Sequence, residues 1–223
     1  MVATSGVTGP GIMHAVTAPD TGRRERKKLA TRAALRRAAL RLAVRDGIEH
    51  VTVERIADEA DIALRTFFNY FSSKDEAVLA TAAVGAEALV ARFRARPPGE
   101  SVLHALREAV LEVMDRDDVA GDEHLAVLRL IRSAPSLLPQ QLSVLAAQER
   151  ALAAAITERL VTPDAAYARL CATTAFAALR VVLDRWLEAS PEDDTPPLDV
   201  LRREVGEAFA TLAQGLDRPG AAP

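Results

Sequence analysis

Residues 52–79 read TVERIADEADIALRTFFNYFSSKDEAVL. The stretch holds two short apolar-periodic segments, "VERIADEA" and "LRTFFNYF", joined by Asp61-Ile62-Ala63. Apolar residues at helical spacing on both sides of a three-residue break predict two helices meeting at a tight turn, a helix-turn-helix. Thr52 stands where an N-cap hydroxyl would satisfy a free N–H, and Glu54 and Asp58 complement the helix dipole. Ser72 or Ser73 caps the next helix, with Asp75 and Glu76 in its first turn. The eight residues 64–71 carry four rings, although the whole chain has only six Phe, two Tyr and one Trp. Placed at 100° per residue, Leu64, Phe67 and Phe71 face inward and Phe68 lies on the shoulder. Arg65, Thr66, Asn69 and Tyr70 occupy the opposite arc, a set of donors, acceptors and one amphipathic ring suited to base edges and phosphates in a major groove.

Upstream, residues 23–45 hold ten basic side chains and one acid, Glu25. Residues 21–75 contain 13 basic and 8 acidic side chains, whereas residues 76–223 contain 15 and 22. The formal net charge of −3 therefore hides a basic module on an acidic body. The first helix is expected from about Arg26 to Arg45, with Leu29, Ala33, Leu35, Ala39, Leu40, Leu42 and Ala43 on its apolar side and Gly47 ending it.

The chain of 223 residues is 49% hydrophobic and 26% charged, an ordinary globular composition. Helical periodicity runs through almost everything after residue 25 and strand alternation is absent, so the fold class is all-α with about nine helices. A fourth helix runs to about Ala95 and stops before "RPPGES". Five more follow at roughly 101–117, 122–133, 139–160, 163–189 and 197–215, with Pro139, Pro163 and Pro197 at their starts. Residues 165–183 are the most apolar run, but Arg169 and Arg180 interrupt it, so no membrane span is expected. The first twenty residues lack Lys and Arg and do not read as a secretory signal; Met13 is a second candidate start. The expected organisation is a disordered tail at 1–22, a DNA-binding domain at 23–73, a ligand-binding and dimerisation body at 74–217 and a short tail at 218–223. Cys171, the sole cysteine, permits no internal disulfide and suits a reducing cytoplasm; it reads as a small buried residue.

Catalysis finds no support. His14, His50, His104 and His124 are scattered, none has metal-ligand spacing with another His or with Cys171, and no P-loop, dinucleotide fingerprint or nucleophile elbow occurs. Neither a metal nor a cofactor is expected. A helical adaptor that binds protein and not DNA is the alternative; it would leave the basic first helix and the polar arc unexplained.

Taken together, residues 23–80 resemble the DNA-binding segment of the TetR family of bacterial transcriptional regulators. The resemblance rests on the basic lead-in "RRERKKLATRAALRRAALRLAVRDGIEHV", the spacing of three helices, the aromatic doublet, the closing "YF" and the Ser-Lys-acid restart. It implies phosphate contacts from Thr52 and Lys74 and a groove-facing set of Arg65, Thr66, Asn69 and Tyr70, with Phe68 and the basic Arg26, Lys27 and Lys28 beside it. Two departures stand out. The family often has Gly-Val-Ser where this chain has Asp61-Ile62-Ala63, so an N-cap hydroxyl is lost, and it often has Tyr where Phe68 stands.

The resemblance further implies a cytoplasmic homodimer on inverted-repeat double-stranded DNA, released by a small molecule. Ala166, Leu170, Thr173, Thr174, Ala177 and Val181 of the 163–189 helix and Leu201, Val205, Ala208, Phe209 and Leu212 of the last helix are candidates for the dimer interface. Candidate pocket residues are Phe93, Leu106, Val110, Val113, Met114, His124, Leu128, Arg129, Arg132, Leu145, Tyr167, Phe176, Arg180 and Trp186. "RRERKK" with "TFFNYFSSKDE" resembles a subgroup that includes regulators responsive to acyl-CoA-like ligands; another amphipathic metabolite, an antibiotic or a drug suits the residues as well.

Overall fold

The computed structural model describes residues 21–115, 122–189 and 197–216. The expected tails fall outside these residues, apart from the last two positions of the first. Nine α-helices and two 3-10 turns occur among the described residues, with no strand. The helices are α1 (Thr21–Asp46), α2 (Val53–Glu59), α3 (Leu64–Phe67), α4 (Lys74–Ala95), α5 (Val102–Met114), α6 (Asp122–Ser133), α7 (Leu138–Arg159), α8 (Ala165–Glu188) and α9 (Leu198–Gln214).

Local chemistry explains most boundaries. α1 ends at Gly47, whose φ of 81° a side chain would resist. Thr52 caps α2, its Oγ1 accepting from the Arg55 N–H at 3.3 Å. Ser73 caps α4 by accepting from the Glu76 N–H at 3.1 Å, while the Glu76 carboxylate accepts from both the N–H and the hydroxyl of Ser72. Pro163 lies ahead of α8 rather than at its start; Asp164 is the cap, accepting from the Tyr167 N–H at 2.9 Å.

Two hydrophobic clusters organise the molecule. One joins α5, α7, α8 and α9 to the second half of α4, through Phe93, Leu106, Leu152, Trp186, Leu201 and Phe209. The other gathers Leu35, Leu42, Ile56, Phe67 and Phe71 from α1–α3 with Ala77–Ala80 of α4, and then takes in Val127, Leu130, Ala134 and Leu137 from α6 and the turn after it. α1–α3 do not close their own core. The first turns of α4 and one side of α6 complete it.

α8 has the length and hydropathy of a membrane span. In this fold it is a bundle helix: it packs on α5, α7 and α9 and buries Ala168, Cys171, Ala172, Ala175, Val182 and Trp186. The loop between α4 and α5 is tied to the end of α7, where the Arg159 guanidinium donates to the carbonyls of Arg96, Pro97 and Glu100.

Candidate DNA-binding face and effector cavity

The turn between α2 and α3 is a Schellman closure with Asp in the left-handed position. Ile62 N–H donates to Ala57 O at 2.9 Å, Asp61 N–H donates to Asp58 O at 3.0 Å, and Asp61 has φ 53°. Asp tolerates this region better than most side chains. Ala63 makes no side-chain cap, so the first N–H groups of α3 receive no hydroxyl.

α3 is shorter than the expected run of 64–71. Regular helix covers only Leu64–Phe67, and the chain then tightens, Asn69 N–H reaching Thr66 O and Tyr70 N–H reaching Phe67 O. This changes one residue of the expected inward face: Leu64 is 40% exposed, while Phe67 and Phe71 are fully packed. Phe67 and Phe68 are adjacent and perpendicular, with ring centroids 5.5 Å apart, yet Phe67 is 0% and Phe68 57% exposed. Arg65 and Asn69 are exposed, Thr66 is half-buried, and Tyr70 rests its ring against the second cluster. Arg65 and Asn69 therefore stand clear of the protein on an anchored segment, whereas Tyr70, expected on the same arc, packs its ring on the core beneath.

Two residues hold this segment against α1. The Arg55 guanidinium donates to His50 O at 2.7 Å and pairs with Asp46. Hydrogen bonds from Arg45 and then Arg55 hold the Asp46 carboxyl down at a pKa of about 2. Lys74, which the resemblance implies at a phosphate, turns its Nζ inward. It donates to the carbonyls of Ile48 and Val51, both at 2.9 Å. The Ile48 carbonyl also accepts from the Val51 N–H at 3.2 Å, and Val51 is the residue that ends the 3-10 turn between α1 and α2. The ammonium thus clamps α4 to the base of α2, and one of its three donors remains for other contacts.

Arg26, Lys27 and Lys28 lie on the fully exposed first turns of α1. Leu29, placed on the apolar side from its periodicity, is 64% exposed because these turns extend beyond the domain core.

The body holds a half-open cavity of about 690 Å³, within the range of drug-sized ligand sites. Val110, Val113, Met114, His124, Leu128, Arg132, Leu145, Phe176 and Arg180 line it, as the sequence suggested. Phe93, Leu106 and Trp186 do not; they sit in the packed core among α4, α5, α8 and α9. Tyr167 and Arg129 also lie away from it on exposed positions. Sequence reasoning missed the α4 wall, Leu79, Ala82, Gly85, Ala86 and Leu89, and the α7 residues Leu138, Gln141 and Leu142. Their signal was only generic helical periodicity. Arg132 is held by the Asp184 carbonyl at 3.1 Å and by the Glu188 carboxylate at 3.5 Å. Burial, and then the nearby Arg36 guanidinium, push the His124 pKa below its ordinary value.

Leu201, Val205 and Phe209, read as dimer-interface residues, are buried within their own subunit against α5 and α8, and Ala208 packs on the same cluster. Leu212 is partly covered. The uncovered apolar side belongs to α8, where Ala166 is exposed, Leu170 is 66% and Val181 55% exposed, and Thr174 and Ala177 are half-buried.

Exposed polar residues on a helix-turn-helix, set on a helical body, are the arrangement of a helix-turn-helix transcriptional regulator. Residues 35–82 match the model for bacterial regulatory proteins of the tetR family, and residues 100–217 match the MftR C-terminal domain. The HTH-type transcriptional regulator TcmR of Streptomyces glaucescens is 35% identical over 199 residues, covering 82% of this chain and 88% of TcmR. The HTH-type transcriptional repressor KstR of Rhodococcus jostii (strain RHA1) is 26% identical over 153 residues, 67% of this chain and 66% of KstR. Among solved structures, the SmeT–triclosan complex superposes with a TM-score of 0.55 at 18% identity, covering 87% of this chain and 97% of SmeT. The chain belongs to the TetR family of DNA-binding transcriptional regulators.

Proposed function

We propose that the chain is a homodimeric repressor of an inverted-repeat operator, released when a small, largely apolar molecule fills the cavity. The observation that carries this reading is the sharing of α4 and α6 between the two clusters. Leu79 of α4 and Ile131 of α6 each belong to the core under the recognition segment and to the cavity wall. A molecule entering the cavity presses on the same helices that complete the DNA-binding core. Lys74 carries any displacement of α4 to the base of α2 through its two carbonyl contacts. An effector that prefers the displaced arrangement lowers operator affinity by its differential affinity for the two states, and by no more.

On the DNA, Arg65 is suited to guanine and Asn69 to adenine, with Thr66, Phe68 and Tyr70 beside them. Thr52, the remaining Lys74 donor, Arg26, Lys27 and Lys28 supply phosphate contacts and salt dependence. The apolar side of α8, from Ala166 to Val181, pairs with its copy about a twofold axis, joined by the outer edge of α9. This places two recognition segments on half-sites about one helical turn, roughly 34–36 Å, apart. The regulator acts in the cytoplasm, where its operator is, and performs no catalysis.

The test is selection of bound duplexes from a random pool, followed by shift assays with Arg65→Ala and Tyr70→Ala. An inverted repeat bound by wild type and lost in both variants supports the reading. No selected duplex at low salt, with both substitutions silent, would instead support the protein-binding adaptor. Screening small molecules for release of the selected duplex then tests the cavity. A molecule that binds without changing operator affinity removes the derepression step.

A further inference from the structure

The chain has six phenylalanines, and five of them are covered. Phe67, Phe71, Phe93 and Phe209 are at most 2% exposed, and Phe176 is half-buried in the cavity wall. Phe68 is the exception at 57%, and it stands on the recognition segment. Its ring has a defined seat. It meets the fully buried Phe67 ring edge to face, with 5.5 Å between centroids and 85° between planes, and its backbone is still helical at φ −66° and ψ −12°.

Phe68 has exposed neighbours of two kinds. Arg65, three residues before it, and Asn69, directly after it, carry exposed hydrogen-bonding groups. Leu64, four residues before it and 40% exposed, is apolar and continues the same edge of the helix. A phenyl ring has no donor to offer a phosphate. In an intact duplex the faces of the bases are covered by their neighbours, so a ring entering the major groove meets only base edges. Those edges carry oxygen and nitrogen atoms at every pair and one protruding apolar group, the 5-methyl of thymine. Packing that methyl on the ring removes apolar surface of both from water.

From this placement we infer that Phe68 is a sequence-reading residue: its ring packs on a thymine methyl in the major groove, beside the bases that Arg65 and Asn69 reach, and so requires an A·T pair of one orientation at that step of each half-site. The inference rests on the operator reading proposed above. It goes beyond that reading by giving the segment an apolar contact whose information hydrogen bonding does not supply.

The test uses the full-length protein and the duplex selected from the random pool, with fluorescence anisotropy as the readout. Each thymine is replaced in turn, in both half-sites at once, by dU, which pairs with adenine as before and lacks only the methyl group. At one step wild type is expected to lose roughly tenfold in affinity, on the order of three- to fourfold for each of the two methyl groups. Phe68→Ala should bind the thymine and uracil duplexes equally at that step and keep the wild-type response to uracil at every other step. Simple damage to the fold cannot produce this, because it would weaken all duplexes alike and leave the methyl effect in place. Phe68→Leu, which keeps an apolar side chain, should retain part of the effect. Tight wild-type binding with no methyl effect at any step, a selected half-site without thymine, or a methyl effect that persists unchanged in Phe68→Ala overturns the inference and leaves the operator reading standing. Failure to select any duplex overturns the operator reading and this inference with it.

Discussion

The recognition segment and the cavity are built in opposite ways. The residues proposed to face the groove, Arg65, Thr66, Asn69 and Tyr70, lie within six consecutive positions, fixed by one turn and two buried rings. The cavity wall is assembled from six helices, between Leu79 and Val205. The first site depends on local geometry, and a single substitution in its anchor should unseat it. The second depends on how helices distant in sequence pack, so a single wall residue changes its shape without removing it. α4 and α6 belong to both, and they are where the two constructions meet.

The contrast can be broken at its anchor first. Phe67→Ala removes a fully buried ring from beneath the recognition segment. It should destabilise the protein by about 3–5 kcal/mol, read as a fall in thermal or denaturant midpoint. Phe68→Ala, one residue along and 57% exposed, should change stability by less than about 0.5 kcal/mol. Similar losses in the two variants would contradict the division of the ring pair. Lys74→Met leaves the Ile48 and Val51 carbonyls without their charged donor. The expected cost is about 1–3 kcal/mol of stability, with weaker operator binding in consequence. A Lys74→Met variant of native stability whose salt slope for DNA binding drops by about one would leave Lys74 with its phosphate contact alone and contradict the clamp.

Smaller effects sharpen the comparison. Ala63→Ser supplies α3 with the hydroxyl it lacks. It should raise stability by about 0.5–2 kcal/mol, visible in the unfolding midpoint. His124 gives a pH-dependent readout on the cavity side. Its folded pKa lies below the unfolded value, so the proton binds the unfolded chain more readily. Its contribution to stability is complete above the ordinary value of 6.5 and is lost as pH falls towards the folded pKa. In His124→Gln that part of the acid destabilisation should disappear, as measured by midpoints at a series of pH values.

What the sequence revealed follows the same division. The caps at Thr52 and Ser73, the turn at Asp61 and the outward Arg65 and Asn69 were legible because each rests on contacts a few residues apart. Leu64 was misplaced because it opens the short helix, where the wheel gives a direction but not whether a neighbour covers it. The inner contacts of Lys74 were not legible because its partners lie 23 and 26 residues upstream and no motif announces them. Periodicity marked the apolar side of α9 correctly. It could not say that Leu201, Val205 and Phe209 meet α5 and α8 of the same subunit and not a second copy. Phe93, Leu106 and Trp186 failed as pocket residues for a related reason: an apolar position at a helix contact looks the same whether the space beside it is filled or empty.

The central claim is that two copies of this chain read one inverted repeat through recognition segments at a fixed separation. Fluorescence anisotropy with the selected duplex, compared with a duplex carrying about five extra base pairs between the half-sites, half a helical turn, tests it most directly. The account predicts tight binding of one dimer to the first duplex and collapse to weak, salt-sensitive binding on the second. Equal affinity for both duplexes would contradict it.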